Sequence, residues 1–117
     1  MTITSIKKIW SQAVINKNIK DILNLYSSKA IFKGTLMVDA VKDKKEIKKY
    51  FENFSPTVND IKFLPNEVIV KCDNNISEIG FYKFYTAGGI IKAQYNFVYC
   101  INKKKEIKII SHFSTIF

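Results

Sequence analysis

Apolar residues recur along this chain first at the spacing of helices and later at the alternating spacing of strands. The first helical stretch starts at Ser5, and its apolar residues follow at three- and four-residue steps: Ile6, Ile9, Trp10, Ala13 and Val14. Thr4 or Ser5 can cap this helix through its hydroxyl group. A short second helix is predicted after Asn18, with its apolar residues on one side: Ile19, Ile22, Leu23 and Tyr26.

A first strand and a third helix are predicted next. Residues 30–32 are predicted to form the strand, and the following segment Gly34-Thr35-Leu36-Met37 is predicted as a loop or strand edge that bends near a ligand. Asp43 and Glu46 have the spacing of a capping box, which indicates a third helix. The helix is predicted to end at Ser55-Pro56. Its apolar residues stand at helical intervals: Ile47, Tyr50, Phe51 and Phe54.

The second half of the chain is typical of an antiparallel meander. Four further strands are predicted, separated by turns: residues 67–71, 79–86, 90–101 and 106–114. Both faces of the longest strand carry apolar or uncharged side chains, so the sheet is covered on both sides. We predict an α+β fold in which the N-terminal helices pack on one face of a curved, mostly antiparallel sheet. A second subunit would cover the other face, which predicts a homodimer.

Composition limits the partners that this chain can take. The formal net charge is +9, yet all 19 basic residues are Lys and none is Arg. Arg supplies the planar fork that recognises phosphate and guanine, so its absence argues against nucleic-acid binding. The N-terminus has no apolar run of the length that a secretory signal needs, and no segment could span a bilayer, so we expect a cytoplasmic protein without a membrane partner.

The length of the chain and its cysteine and histidine content limit the number of domains and the metal sites that it can form. A chain of 117 residues fits one domain, residues 1–117. Cys72 and Cys100 fall in separate strand-like runs and lack the close spacing of a zinc or redox motif, so we expect free thiols. His112 is the only histidine, and a three-histidine zinc site is therefore excluded. We expect no metal and no cofactor.

His112 and Ser114 form a candidate polar pair at the end of the last predicted strand. They are two residues apart, so both side chains project from the same face if the strand stays extended. An unperturbed imidazole has a pKa of about 6.5, which makes His112 the one side chain suited to carry protons near neutrality. The alternative is a hydrogen-bonded histidine of the core or rim.

The whole chain resembles the nuclear transport factor 2-like superfamily of cone-shaped, cystatin-like α+β domains. Three blocks resemble the bacterial group related to the association domain of calmodulin-dependent kinase II, which includes the iota class of carbonic anhydrases. They are Thr35-Leu36, Tyr50-Phe51 and Ser111-His112-Phe113-Ser114. The last block departs from the family's His-His-Ser-Ser, because Ser111 replaces its first His and Phe113 its first Ser. The second His and second Ser carry over as His112 and Ser114.

The resemblance implies metal-free hydration of CO2. In that chemistry the hydroxyls of Thr35, Tyr50 and Ser114 hold a water and CO2 or bicarbonate, and we assign His112 proton transfer or orientation of the water. We expect six residues to line an apolar pocket that favours CO2 over bulk water: Phe32, Leu36, Phe54, Phe84, Tyr95 and Phe97.

Each of these assignments has a structural alternative. Thr35 could satisfy a backbone group at the bend, Ser114 could cap the last strand, and Tyr50 stands at helical spacing among core residues. A non-catalytic ligand-binding or oligomerisation module would suit the altered last block. A third hypothesis is an isomerase or cyclase that abstracts a proton with a pocket carboxylate, for which Asp39 is the nearest candidate.

Overall fold

Three helices form the N-terminal part of the structure, a computed structural model that describes residues 2–117. They are α1 (Ile3–Ile15), α2 (Ile19–Asn24) and α3 (Lys44–Phe54). The backbone N–H of Glu46 donates to the Asp43 side chain over 2.8 Å, as the capping-box spacing predicts. Asn18 caps α2 in the same way. The cap of α1 is Thr2, three residues before Ser5, so the predicted start was too late.

Six strands form one sheet. They are β1 (Tyr26–Lys33), β2 (Val58–Phe63), β3 (Val68–Cys72), β4 (Asn75–Thr86), β5 (Gly89–Ile101) and β6 (Ile107–Ile116). Their order is β1-β6-β5-β4-β2, and β3 pairs with the first half of β4. Every pair is antiparallel except β1 with β6. The predicted α+β class with a mostly antiparallel sheet is confirmed.

Two further predictions about the elements were wrong. The strand β2 was missed, because a bulge between Val58 and Asp60 places its buried residues three apart and hides the alternation. Tyr26 was predicted in the second helix, but α2 ends at Asn24 and Tyr26 begins β1. A register shift between Tyr26 and Ile31 and the polar sequence between them hide this first half of the strand from the pattern.

The helices pack on the concave face of the sheet and enclose the core. On β5 the inward residues Tyr95, Phe97 and Tyr99 are buried, as the alternation predicts. Tyr82 and Phe84 on β4 extend the same layer toward the helices, where Trp10 lies in the middle of the aromatic cluster. The core is therefore unusually rich in aromatic rings, several of which carry a polar group that needs a hydrogen-bond partner.

The outer face of the sheet is only partly covered. Its exposed apolar side chains include Ile79, Phe113 and Phe117. No helix within residues 2–117 is long and apolar enough to cross a membrane.

Candidate functional site

A small cavity lies between the concave face of the sheet and the helices. Its volume is about 10 Å³, close to the smallest space that holds one water molecule. The lining combines aromatic rings with four hydroxyl groups and one imidazole: Trp10, Phe32, Gly34, Thr35, Tyr50, Phe51, Phe54, Tyr82, Phe84, His112 and Ser114. The cavity therefore presents polar groups inside apolar walls, as small-molecule sites do.

The four residues that the sequence singles out for chemistry all line this cavity. Thr35 lies in the turn after β1, Tyr50 on α3, and His112 and Ser114 on β6. Phe32, paired with His112 across the parallel β1–β6 ladder, lines the cavity with Phe54 and Phe84. Elements distant in sequence thus bring the four polar side chains to one point.

Three of the expected pocket residues lie elsewhere. Leu36 is 57% exposed and lines an outer groove of about 200 Å³, because the turn after Thr35 directs it to the surface. Phe97 stacks on the His112 ring, with 4.0 Å between ring centres, on the sheet side. Tyr95 is drawn away by a hydrogen bond to Glu78. Tyr50 and Phe54 belong to the walls of both the cavity and the outer groove.

Gly34 allows Tyr50 to reach the cavity. A Cβ atom at position 34 would collide with the Tyr50 ring. The Tyr50 hydroxyl lies 3.4 Å from the Leu36 backbone N–H, which donates to it. The tight turn from Gly34, closed by the Met37 N–H on the Gly34 carbonyl at 3.0 Å, therefore holds Thr35 and Tyr50 at the same end of the cavity.

A continuous run of hydrogen bonds connects the cavity with the core; we call it the hydroxyl chain. It consists of six buried or cavity-lining side chains in the order Trp10, Tyr26, His112, Tyr82, Ser114 and Thr35. The successive distances are 3.1 Å from Trp10 Nε1 to Tyr26 Oη, 2.8 Å to His112 Nδ1, and 3.1 Å from His112 Nε2 to Tyr82 Oη. Two short bonds of 2.6 Å then link Tyr82 to Ser114 and Ser114 to Thr35.

His112 does not ionise near neutrality, contrary to the expectation for an unperturbed imidazole. Burial lowers its pKa from 6.5 to about 3, because the charged form would lose its hydration. Neither neighbour on its two nitrogens is charged, since both are tyrosine hydroxyls. The ring is therefore neutral, with one nitrogen donating and the other accepting, and it serves the site as a fixed hydrogen-bonding group.

The tyrosine hydroxyls of the site also stay protonated. Burial raises the pKa of Tyr50 to about 12, against the opposing effect of hydrogen bonds with Leu36 and Thr35. Burial likewise raises the pKa of Tyr82 and of Tyr26. The site is thus uncharged at neutral pH, and its chemistry rests on hydrogen bonds.

A second buried polar cluster surrounds Glu78 on β4. Its carboxylate is completely buried and accepts from the hydroxyls of Tyr95, at 2.8 Å, and Tyr99, at 3.2 Å. The Lys7 ammonium on α1 pairs with it at 2.7 Å. Gly80 leaves room for the Tyr95 ring, since a Cβ there would come within 2.5 Å of the Tyr95 hydroxyl. Burial and the nearby carboxylate raise the pKa of both tyrosines.

Sequence reasoning missed Tyr82 and Glu78, although one signal pointed to both. Glu78, Gly80, Tyr82 and Phe84 are two residues apart along β4, so they share the inward face. A carboxylate in such a row must be paired, and a tyrosine there must have a hydrogen-bond partner. The period-two pattern could therefore have placed both residues inside, but not their partners.

The cavity lining includes no carboxylate. Asp39, the residue considered for proton abstraction, is exposed and does not line the cavity. Within residues 2–117 no three His, Cys, Asp or Glu side chains are grouped so as to hold a metal ion. The arrangement can hold a small molecule by hydrogen bonds among aromatic walls, and the isomerase hypothesis loses the base that it requires.

Solved structures of other proteins share this arrangement of helices and sheet. A proposed calcium/calmodulin-dependent protein kinase II association domain from Xanthomonas campestris matches with a TM-score of 0.85 and 21% identity, over 98% of this chain and 85% of that chain. A nuclear transport factor 2-like protein of unknown function from Pseudomonas putida matches with a TM-score of 0.80 and 12% identity, over 97% and 82%. The chain has the nuclear transport factor 2-like fold.

This fold is shared by proteins of different activities. A proposed ketosteroid isomerase from Parabacteroides distasonis matches with a TM-score of 0.80 and 16% identity, over 98% of this chain and 85% of that chain. No protein-family model matches the sequence, and no curated protein is similar to it in sequence. Function must therefore be argued from the site, because the nuclear transport factor 2-like fold does not specify one.

Proposed function

We propose that this chain catalyses the reversible hydration of CO2 without a metal, as the iota-class resemblance implies. The observation that carries the proposal is the meeting of Thr35, Tyr50, His112 and Ser114 at one small cavity. These are the four residues that the resemblance assigns to the site, and they come from β6, α3 and the turn after β1. Their convergence is what a working site requires.

The cavity suits one oxygen atom of the substrate. CO2 is apolar overall, so the rings of Phe32, Phe54 and Phe84 favour its entry over that of several waters. The hydroxyls of Thr35 and Tyr50 face one oxygen and donate to it. The outer groove, which shares Tyr50 and Phe54 with the cavity, accommodates the attacking water.

The chemical step requires mainly that the negative charge developing on the substrate oxygen be stabilised. The water oxygen forms a bond with the carbon of CO2, and one C=O electron pair moves onto the oxygen in the cavity. The hydroxyl donors stabilise that negative charge, as an oxyanion hole does. The attacking water releases one proton to bulk water through the outer groove, which leaves bicarbonate. Atoms and charge balance without a metal or a cofactor.

His112 acts in this scheme by position. Its Nε2 lies 3.1 Å from Tyr82 Oη, and Tyr82 contacts Ser114, which contacts Thr35. A neutral imidazole at this place fixes the orientation of the donors before the substrate arrives. Such preorganisation lowers the barrier because no group must reorient during the reaction.

Stopped-flow CO2 hydration in the presence of a strong chelator tests this proposal. We expect the wild type to accelerate hydration above the buffer rate, and Thr35→Val to lose about 100-fold in kcat, since it lacks one oxyanion donor. Tyr50→Phe should show a loss of similar size. Tyr99→Phe, which removes a buried hydroxyl from the Glu78 cluster, is the matched control and should retain activity.

Hydration at the buffer rate by a folded wild-type protein would refute the catalytic proposal. Activity that vanishes with the chelator and returns with Zn²⁺ would refute its metal-free form. Equal activity of Thr35→Val and Tyr99→Phe would place the reaction elsewhere on the molecule.

We also propose that the chain forms a homodimer through the outer face of its sheet. Ile79, Phe113 and Phe117 are 41%, 38% and 69% exposed there, and adjoining exposed apolar groups favour association. Light scattering after size exclusion should give about twice the 13.5 kDa mass of the chain. Ile79→Lys should give the monomer, whereas Val38→Lys in the exposed turn should not. A monomeric wild type would refute the dimer.

A further inference from the structure

The hydroxyl chain has a donor at its far end that cannot change its role. The Trp10 indole N–H can only donate, and it donates to Tyr26 Oη over 3.1 Å. Tyr26 is buried, and within residues 2–117 the only other hydrogen-bond partner of its hydroxyl is His112 Nδ1, at 2.8 Å. The Tyr26 proton must therefore point to Nδ1, because any other direction leaves a buried donor without an acceptor.

This first bond decides the bonds on the other side of the imidazole. A neutral imidazole carries one N–H, so accepting at Nδ1 places the proton on Nε2. Nε2 then donates to Tyr82 Oη, and the Tyr82 proton is left for Ser114 Oγ, at 2.6 Å. Each of these groups has one proton, so each bond determines the next.

The last two hydroxyls continue in the same direction. Ser114 accepts from Tyr82, and the acceptor for its own proton is Thr35 Oγ1, at 2.6 Å. Thr35 therefore accepts from Ser114, and its own proton points toward Tyr50 and the cavity that both residues line. Tyr50 accepts from the Leu36 N–H and from Thr35, so its own proton remains for the cavity.

We propose that Tyr26, held by the Trp10 indole, is a positioning residue that sets the direction of the whole hydroxyl chain, so that the cavity presents hydrogen-bond donors and selects ligands with an accepting oxygen. Carbonyl and carboxylate oxygens fit such a site, and a cation such as ammonium does not. This inference rests on the proposed function for its substrate, CO2 or bicarbonate, and adds the reason why the site would prefer them.

The direction matters because the opposite one would also connect all six groups. With the proton on Nδ1, Tyr82 would donate to Nε2, Ser114 to Tyr82 and Thr35 to Ser114. The Thr35 oxygen would then offer a lone pair to the cavity and repel an oxyanion. The same side chains at the same distances would thus give the opposite selectivity, and only the buried Tyr26 proton separates the two arrangements.

Nitrogen-15 NMR of the imidazole measures this direction without any mutation. His112 is the only histidine, so its two ring nitrogens give one unambiguous pair of signals. We expect a protonated Nε2 and an unprotonated Nδ1 in the folded wild type at neutral pH. A protonated Nδ1, or equal averaging between the two tautomers, would overturn the inference.

Two variants separate the role of Tyr26 from a general structural role. Tyr26→Phe removes the proton that fixes Nδ1, so we expect its nitrogen signals to move toward the average of the two tautomers. Tyr99→Phe also deletes a buried hydroxyl but belongs to the Glu78 cluster, and it should keep the wild-type signals. Unchanged signals in Tyr26→Phe would refute its role. If that variant does not fold, the wild-type tautomer still decides the direction.

Ligand selectivity is measured with formate and ammonium, at equal ionic strength, from the carbon-13 shift of the Thr35 methyl group. Formate should give a saturable shift with the wild type. It should bind at least about tenfold more weakly to Thr35→Val, because the variant loses a hydrogen bond to a charged acceptor. In that variant, binding is measured from the signals of Tyr50. Ammonium should give no saturable shift. Saturation by ammonium and none by formate would overturn the inference.

These readouts do not depend on catalysis. A protein without CO2 hydration but with the protonated Nε2 and formate binding would refute the proposed function and retain the directed chain. A protein that hydrates CO2 but has a protonated Nδ1 would retain the proposed function and refute the directed chain.

Discussion

Acidification is expected to destabilise this protein through His112 by about 1.4 kcal/mol for each pH unit between pH 6 and pH 4. The unfolded chain ionises the imidazole near pH 6.5, whereas in the folded protein burial lowers the pKa to about 3. Between these values the unfolded state binds one more proton than the folded state. The contribution is complete above pH 6.5 and is lost as pH falls toward 3, about 5 kcal/mol in all.

Urea unfolding from pH 7.5 to pH 3.5 measures this effect when the wild type is compared with His112→Gln. The variant keeps an amide that can donate and accept, and both proteins contain the same carboxylates, so the difference between their pH slopes belongs to the imidazole. We expect His112→Gln to be less stable at pH 7 and to have the shallower slope. Parallel slopes would contradict the prediction.

The ionisation of the His112 imidazole can also be measured directly in the wild type. The ring proton shifts of its single histidine should stay constant from pH 8 to pH 4.5 in the folded protein. A midpoint near pH 6.5 would show that the imidazole reaches water, and would contradict both the destabilisation by acid and the fixed orientation of the site.

Removal of Lys7 is expected to lower the free energy of unfolding by about 3 to 5 kcal/mol. The Lys7 ammonium is the one cation within 4 Å of Glu78 in the described part of the chain, and that carboxylate has no exposed surface. In Lys7→Met the negative charge stays buried with two tyrosine donors alone. Lys7 is 14% exposed, and water entering its place would put the loss toward the lower value.

Thermal and urea unfolding of three variants test this interpretation. Lys8→Met changes the neighbouring, exposed residue of α1 and should alter stability by no more than about 0.5 kcal/mol. Adding Glu78→Gln to Lys7→Met should restore part of the stability, because a neutral amide still accepts from Tyr95 and Tyr99. If Lys7→Met and Lys8→Met prove equally stable, the ion pair contributes nothing.

Most helices and strands could be predicted from local patterns, and the exceptions share a cause. The capping residues Asn18 and Asp43 act within four residues of their partners, so the sequence contains the whole interaction. The strand β2 depends instead on a bulge opposite β4, and Tyr26 enters a strand because it pairs with β6, more than 80 residues away. Such pairings leave no local pattern.

Local patterns were sufficient for the alternation that buries His112 with Ser114 and for the helical spacing that turns Tyr50 toward the cavity, because both depend on backbone periods of two and of 3.6. The protonation state and the hydrogen-bond partners of these residues depend on the assembled fold. The imidazole lost its titration near neutrality because helices and strands from the whole chain exclude water from it. The directions of its hydrogen bonds follow from Trp10 and Tyr26, whose contact with it arises from folding alone.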